Sequence, residues 1–234
     1  MTIRFLRPLL ACGLLAASGL ALAATPAAFT ATYDVLQGGS PLGRATVTLA
    51  PSGDGEWVYR KQMQGTGGMA ALLGARLEES SRFRWKGDVP EAVGYDYRLD
   101  AAIKAKKRHM TVDWSAKQVT VDEGKGTTTY PAQPGMVERN TLALAIGLAL
   151  RDGHRQIALP VGVKQRVETQ NFRAGGKEAV TVPAGSFQAT RVDRSDADQG
   201  FSAWYVPDKY PLPVKLQQKD GGDITMQLVS YKAG

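Results

Sequence analysis

Enzyme chemistry needs nucleophiles, proton carriers or metal ligands, and this sequence is poor in all three. Its one cysteine is Cys12, and its only histidines are His109 and His154. Neither histidine has a second His or Cys at ligand spacing, so no zinc site is expected, and both read as surface or turn residues. No Gly-x-Ser-x-Gly elbow frames a serine for a triad. The Gly65-Thr-Gly-Gly68 stretch lacks the Lys-Ser/Thr ending of a phosphate loop. Acids are densest at Glu78-Glu79 and from Asp193 to Asp198. Glycoside hydrolysis needs two carboxyl groups facing one cleft, whereas neighbours on a strand point to opposite faces. Glu78-Glu79 therefore read as a solvated loop. No catalytic residue, cofactor or metal is assigned.

Binding chemistry is better represented. In Lys104-Ala-Lys-Lys-Arg-His109, a strand would place Lys104, Lys106 and Arg108 on one face, in line with Met110, Val112 and Trp114. That face grades from cationic to apolar. It suits an amphiphile with its anionic head at a rim and its tail inside. The other use of such a run is to protect an edge strand against aggregation by charge. Trp57, Trp85, Tyr95, Tyr97, Trp114, Trp204 and Tyr205 fall mostly at strand positions. There they serve as core or cross-strand pairs, or line a groove if the sheet is open on one side. The candidate ligand-binding residues are Lys104, Lys106, Arg108, Met110, Trp114 and Trp204.

The elements that would hold these residues are short and alternating. Phe29 to Val35 places Phe29, Ala31, Tyr33 and Val35 on one face, and Arg44 to Leu49 returns with Ala45, Val47 and Leu49 inward. Trp57 to Gln64 alternates again, so the chain begins as an antiparallel meander. Met69 to Ala75 reads as a loop or single helical turns. Strands are expected at Ser80 to Trp85, Ala92 to Leu99, Lys106 to Trp114 and Val119 to Val121. After residue 155 they are expected at Gln156 to Val161, Arg166 to Phe172, Glu178 to Val182, Phe187 to Arg191, Phe201 to Val206, Val214 to Gln218 and Ile224 to Val229. One segment breaks the two-residue period. Thr141 to Leu150 is rich in Leu and Ala and predicts a buried helix near 138–151. Asn140 or Thr141 is placed to cap its start and Gly153 to close its end. The expected fold class is mainly β: a strongly curved antiparallel sheet, a β-roll or half-barrel, around one central apolar α-helix.

Arg4 and Arg7 precede an apolar stretch from Leu9 to Leu22, and Ala21-Leu-Ala23 has small residues where a signal peptidase reads. Residues 1–23 are expected to be a cleavable leader and 24–234 a single domain exported to the periplasm. Cys12 would leave with the leader, and no transmembrane segment would remain. The net charge is +7, of which the leader's two arginines supply +2. The remainder is modestly basic and suits anionic envelope material such as lipid head groups. Nucleic acid is not an expected partner of an exported protein.

Four stretches carry a resemblance: Phe29-Thr-Ala-Thr-Tyr-Asp-Val35 with its Gly-rich turn; Val112-Asp-Trp114; Thr181-Val-Pro-Ala-Gly-Ser-Phe-Gln-Ala-Thr-Arg-Val192; and Trp204-Tyr-Val-Pro-Asp-Lys-Tyr-Pro-Leu-Pro-Val-Lys215. In order and spacing the chain resembles domain of unknown function family 3108, a family of envelope proteins. The last two stretches are also similar to those of periplasmic lipoprotein carriers. That weaker likeness implies a curved sheet with an apolar concave face and no catalytic residues. The expectation for function is non-enzymatic binding of an apolar or amphiphilic ligand, an acyl chain or lipidated protein, in a concave sheet. The alternatives are an envelope assembly factor without a small ligand, and a polysaccharide hydrolase.

Overall fold

The computed structural model describes residues 26–196, 200–219 and 222–234. The leader with Cys12 lies outside the described residues, as do the end of the 193–198 acidic stretch and Gly221.

The opening meander is three strands, β1 (Phe29–Gln37), β2 (Ser40–Gly53) and β3 (Glu56–Gly65). Phe29, Ala31, Tyr33, Val35, Ala45, Val47 and Leu49 are all buried, as the period-two pattern requires. A short helix α1 (Gly68–Leu72) leads to β4 (Arg76–Lys86), β5 (Val89–Ala101), β6 (Lys104–Asp113), β7 (Gln118–Asp122) and β8 (Thr127–Pro131). Then come the two-residue β9 (Val137–Glu138), the helix α2 (Leu142–Arg151) and β10 (Gln156–Gly162). The chain closes with β11 (Val167–Val182), β12 (Gly185–Arg194), β13 (Phe201–Tyr205), β14 (Lys215–Gln218) and β15 (Ile224–Ala233).

All 15 strands form one sheet, in the order β8-β7-β6-β5-β4-β3-β2-β1-β15-β14-β13-β12-β11-β10-β9. Every pairing is antiparallel except β9 with β10. The first and last strands pair with each other, so the two chain ends meet mid-sheet. A twisted sheet this wide must curl. Its two edges draw near each other without a strand pairing between them. The Tyr130 hydroxyl of β8 donates to the carbonyl of Val163, just past β10. The Ala92 amide of β5 donates to the Met136 carbonyl beside β9, at 2.8 Å. The result is a large, curved, unclosed sheet.

Several local expectations are corrected. Glu78-Glu79 are not a solvated loop but part of β4, and Glu79 is only 3% exposed. By contrast, Lys104 to Arg108 pair only with β5, because β7 joins β6 from His109 onward, so the basic run is a locally free edge. Arg166 to Phe172 and Glu178 to Val182 belong to one strand, β11, which carries a register shift between Ala174 and Lys177. Strand β8, polar but for Tyr130, has too weak an apolar period to stand out in the sequence. The helix begins at Leu142, not near 138, because Val137 and Glu138 pair with β10. Its end matches the pattern: Gly153 takes φ +87° just past the last turn.

The core has three parts. One gathers β1–β3 residues with Phe83, Leu144 and Leu148. The second joins Leu142, Ala145 and Ile146 of α2 to β10–β13 residues such as Phe172 and Tyr205. The third lies under β5–β8, around Met110, Val121 and Tyr130.

Candidate functional site

The start of α2 is built unusually. Thr141, its N-cap, makes no side-chain capping bond. The cap is instead the carboxylate of Glu138, three residues earlier, which accepts from the Asn140 amide at 2.7 Å and the Thr141 amide at 3.0 Å. A carboxylate at a helix N-terminus satisfies orphan amides and complements the dipole. Here, however, it is fully buried, and that burial raises its pKa even though hydrogen bonds from Ser81, Asn140 and Thr141 favour the anion.

Asn140 continues the polar cluster. Its amide nitrogen donates to the Ser81 hydroxyl at 2.8 Å and to the Tyr59 carbonyl at 3.3 Å. The carbonyl can only accept, which fixes the orientation of the amide. Its Oδ1 is then left buried with no hydrogen-bond partner, on a residue only 4% exposed. Such a group costs free energy unless something donates to it.

Glu79 lies in the same region. It is ion-paired with Lys61 and accepts from the Tyr95 hydroxyl at 2.6 Å. Burial alone would raise its pKa, but the charge and hydrogen bond of Lys61 and the bond from Tyr95 outweigh burial and hold it below the ordinary value. Burial and the neighbouring carboxylates push the Tyr95 phenol well up. The two buried glutamates are thus shifted in opposite directions, one by burial and the other by a cation.

A cavity of about 350 Å³ opens beside this cluster. Its apolar lining includes Val47, Met110, Val161, Phe172, Leu212 and Met226, and its polar lining includes Tyr59, Tyr95, Glu138 and Asn140. The charged lining is lopsided. Lys61, Arg108, Arg139, Lys164 and Arg194 all contribute, against the single acid Glu138. Glu123 lies outside the lining and binds both Arg108, at 2.8 Å, and Lys164, at 3.0 Å. Those two cations, Lys164 ahead of Arg108, keep its pKa low. Arg139 is exposed and forms no ion pair among the described residues. Glu138 apart, the buried lining residues are apolar or neutral polar, and the cationic ones are partly or fully exposed.

Of the six residues singled out in the sequence, Arg108 and Met110 line this cavity. Lys104 and Lys106 are exposed, farther along β6. Trp114 donates to the Ala92 carbonyl at 2.9 Å. Trp204 is packed in the β1–β3 core, donates to Glu178 at 2.8 Å, and is flanked by Arg191 and Lys215. The two tryptophans are thus absent from the cavity lining. The residues that sequence reasoning missed are Glu138, Asn140, Lys61 and Arg139. One signal was available: an acid three residues before a helix cap, in Glu138-Arg-Asn-Thr141. Lys61 and Glu79 gave none, because only the β3–β4 register sets them opposite each other. Among the described residues no three His, Cys, Asp or Glu side chains gather as a metal ligand set. No described helix is long and apolar enough to cross a membrane.

Comparisons with known proteins agree with this architecture. The family model of DUF3108, proteins of unknown function, matches residues 29–229. No curated protein matches the chain. Among solved structures, a beta-barrel-like protein of the domain of unknown function DUF1849 from Brucella abortus aligns with a TM-score of 0.50. The alignment covers 90% of this chain and 99% of that one, at 12% identity. At that identity the likeness speaks for the fold alone.

Proposed function

We propose, for a chain that belongs to the DUF3108 family of proteins of unknown function, a role as a non-enzymatic binder of a small anionic amphiphile. The curved sheet acts as a cup with α2 as the element it curls around, and the cavity at the head of α2 receives the ligand. One observation carries this reading: a partly apolar cavity lined in part by Asn140, whose buried amide oxygen has nothing donating to it. The charge asymmetry adds the sign of the ligand. Lys61, Arg108, Lys164 and Arg194 are paired with acids outside the lining, whereas Arg139 has no ion pair among the described residues and favours an anionic head group, and Asn140 calls for a hydroxyl or N–H donor on it. A volume near 350 Å³ sits at the lower end of small-ligand pockets. It suits a short acyl chain or a single head group better than a whole diacyl lipid. The basic leader and the small residues at 21–23 support work after export, in the periplasm, with residues 1–23 removed.

Polysaccharide hydrolysis has one observation in its favour, the oppositely shifted pKa values of Glu138 and Glu79. Two others weigh against it. Glu79 is absent from the cavity lining, and Glu138 uses both its oxygens on backbone amides.

The test is native mass spectrometry of the protein purified from the producing cell. The expected spectrum holds an adduct with the mass of a small acidic amphiphile. Asn140→Ala should weaken rebinding of that species about tenfold, the value of one hydrogen bond in a desolvated site. A bare protein mass, together with no rebinding of a medium-chain hydroxy fatty acid or a short-chain lysophosphatidic acid at low salt, would sink the reading.

A further inference from the structure

The end of the sheet reached by β6 carries a feature that the cavity does not use. Three large apolar side chains are strongly exposed: Met69 at 64%, Leu72 at 77% and Ile103 at 80%. They belong to two segments far apart in sequence. Met69 and Leu72 lie on α1, which buries none of its residues. Ile103 lies in the turn between β5 and β6. The Ala102 amide donates to the Leu73 carbonyl at 3.0 Å, so α1 and this turn form one tip. A folded protein rarely clusters its most exposed aliphatic side chains without a partner for them.

The charges around the tip are one-sided. Arg76, Lys104, Lys106 and Lys107 are all exposed, and none forms an ion pair among the described residues. The nearest acid in either segment, Asp100, is already taken by Arg98. Exposed aliphatic side chains ringed by unpaired lysines and arginine match the two requirements of an anionic bilayer surface: apolar groups to enter the acyl boundary and cations to meet the phosphates. An acidic protein groove would also attract the cations, but it needs donors and acceptors on the tip for specificity, and α1 presents only Gly, Met, Ala and Leu side chains.

We infer that this tip, Met69, Leu72 and Ile103 with Arg76, Lys104, Lys106 and Lys107, docks the protein reversibly on a membrane surface rich in anionic lipid. Strand β6 joins the tip to the cavity. Lys104, Lys106, Arg108 and Met110 share one face, and the last two line the cavity. At the rise of an extended chain, tip and cavity are about 20 Å apart along that strand.

The experiment is co-sedimentation with vesicles of phosphatidylglycerol and phosphatidylcholine, set against phosphatidylcholine alone. The unaltered protein should bind the anionic vesicles and release as salt rises. Leu72→Ser with Ile103→Ser should lower binding at least about tenfold, as expected when two aliphatic side chains no longer enter the interface. Lys104→Gln with Lys106→Gln and Lys107→Gln should remove the preference for anionic vesicles. All variants keep the same N-terminal segment, so differences between them read the tip alone. As a check on place, Ile103→Trp should blue-shift its emission on anionic vesicles. Ser52→Trp, at the far turn of the β2–β3 hairpin, should not. Equal binding after the Leu72 and Ile103 changes, or no binding of the unaltered protein at low salt, overturns the inference. If vesicle binding fails while the small-ligand adduct is retained, docking falls and the cavity reading stands.

Discussion

The body and the head of α2 are buried to a similar depth and solve the problem in opposite ways. Along its body, Leu144 and Leu148 belong to one hydrophobic cluster with Phe83, Leu49 and other residues of the β1–β3 face. The fit there is close. A Cβ added at Gly147 would lie 2.1 Å from the Pro211 carbonyl oxygen, so only glycine lets the backbones approach. At its head, Glu138, Asn140, Thr141, Ser81 and Glu79 are all buried, and the cavity opens beside them. Polar groups this deep cost free energy unless every one is paired, and Asn140 Oδ1 is not. Apolar packing of similar volume is often as stable as a buried ion pair. The contrast teaches that the body of α2 is built for stability, while its head carries a cost that binding would offset.

The largest effect should come from the packed body. Phe83→Ala removes a fully buried ring and should cost about 3–5 kcal/mol in urea unfolding. Affinity for the retained ligand should be unchanged in the folded fraction. A parallel loss of affinity would break the division between body and head. Next is Lys61→Met, which strands Glu79 in the interior. Because Lys61 keeps some exposure, about 2–3 kcal/mol is expected, below the cost for a fully buried pair. Adding Glu79→Gln should recover at least half of it by removing the charge while still accepting from Tyr95. If Lys61→Met costs nothing, the head is not the strained end described here.

The smallest effect is a pH signature of Glu138. Its folded pKa is raised by burial above the ordinary 4.5, so from about pH 4.5 upward the unfolded chain releases this proton first. Stability should therefore fall as pH rises through that window, by at most about 1.4 kcal/mol per pH unit. It should level off above the folded pKa. Glu79 has a lowered pKa, and its contribution is complete above 4.5 and lost only in acid. Burial and Asp88 also raise the pKa of Asp152, so it is the comparison with Glu138→Gln that isolates Glu138 in the higher window. Urea midpoints compared between pH 5 and pH 8 should converge on those of Glu138→Gln as pH rises. A constant gap between the two proteins would show that the buried carboxyl does not titrate there.

What the sequence determined by itself was local and periodic. Alternation placed Phe29 to Val35 and Ala45 to Leu49 inward, because a strand sends successive side chains to opposite faces. The Leu- and Ala-rich stretch after Thr141 announced a helix by propensity, and Gly153 ended it through a conformation that glycine adopts freely. The β6 face from Lys104 to Met110 was legible for the same reason, and its inner half reaches the cavity. Only the tertiary structure decided which distant groups meet. Lys61 faces Glu79 through the β3–β4 register, and Ser81 meets Asn140 across 59 residues of chain. Ile103 joins α1 through a backbone bond between Ala102 and Leu73. Trp204 could be read as core or as groove lining, and only the folded structure shows it packed in the core. Period and propensity act over a few residues, whereas the closing of a wide twisted sheet sets the charge, volume and polarity of the space inside it.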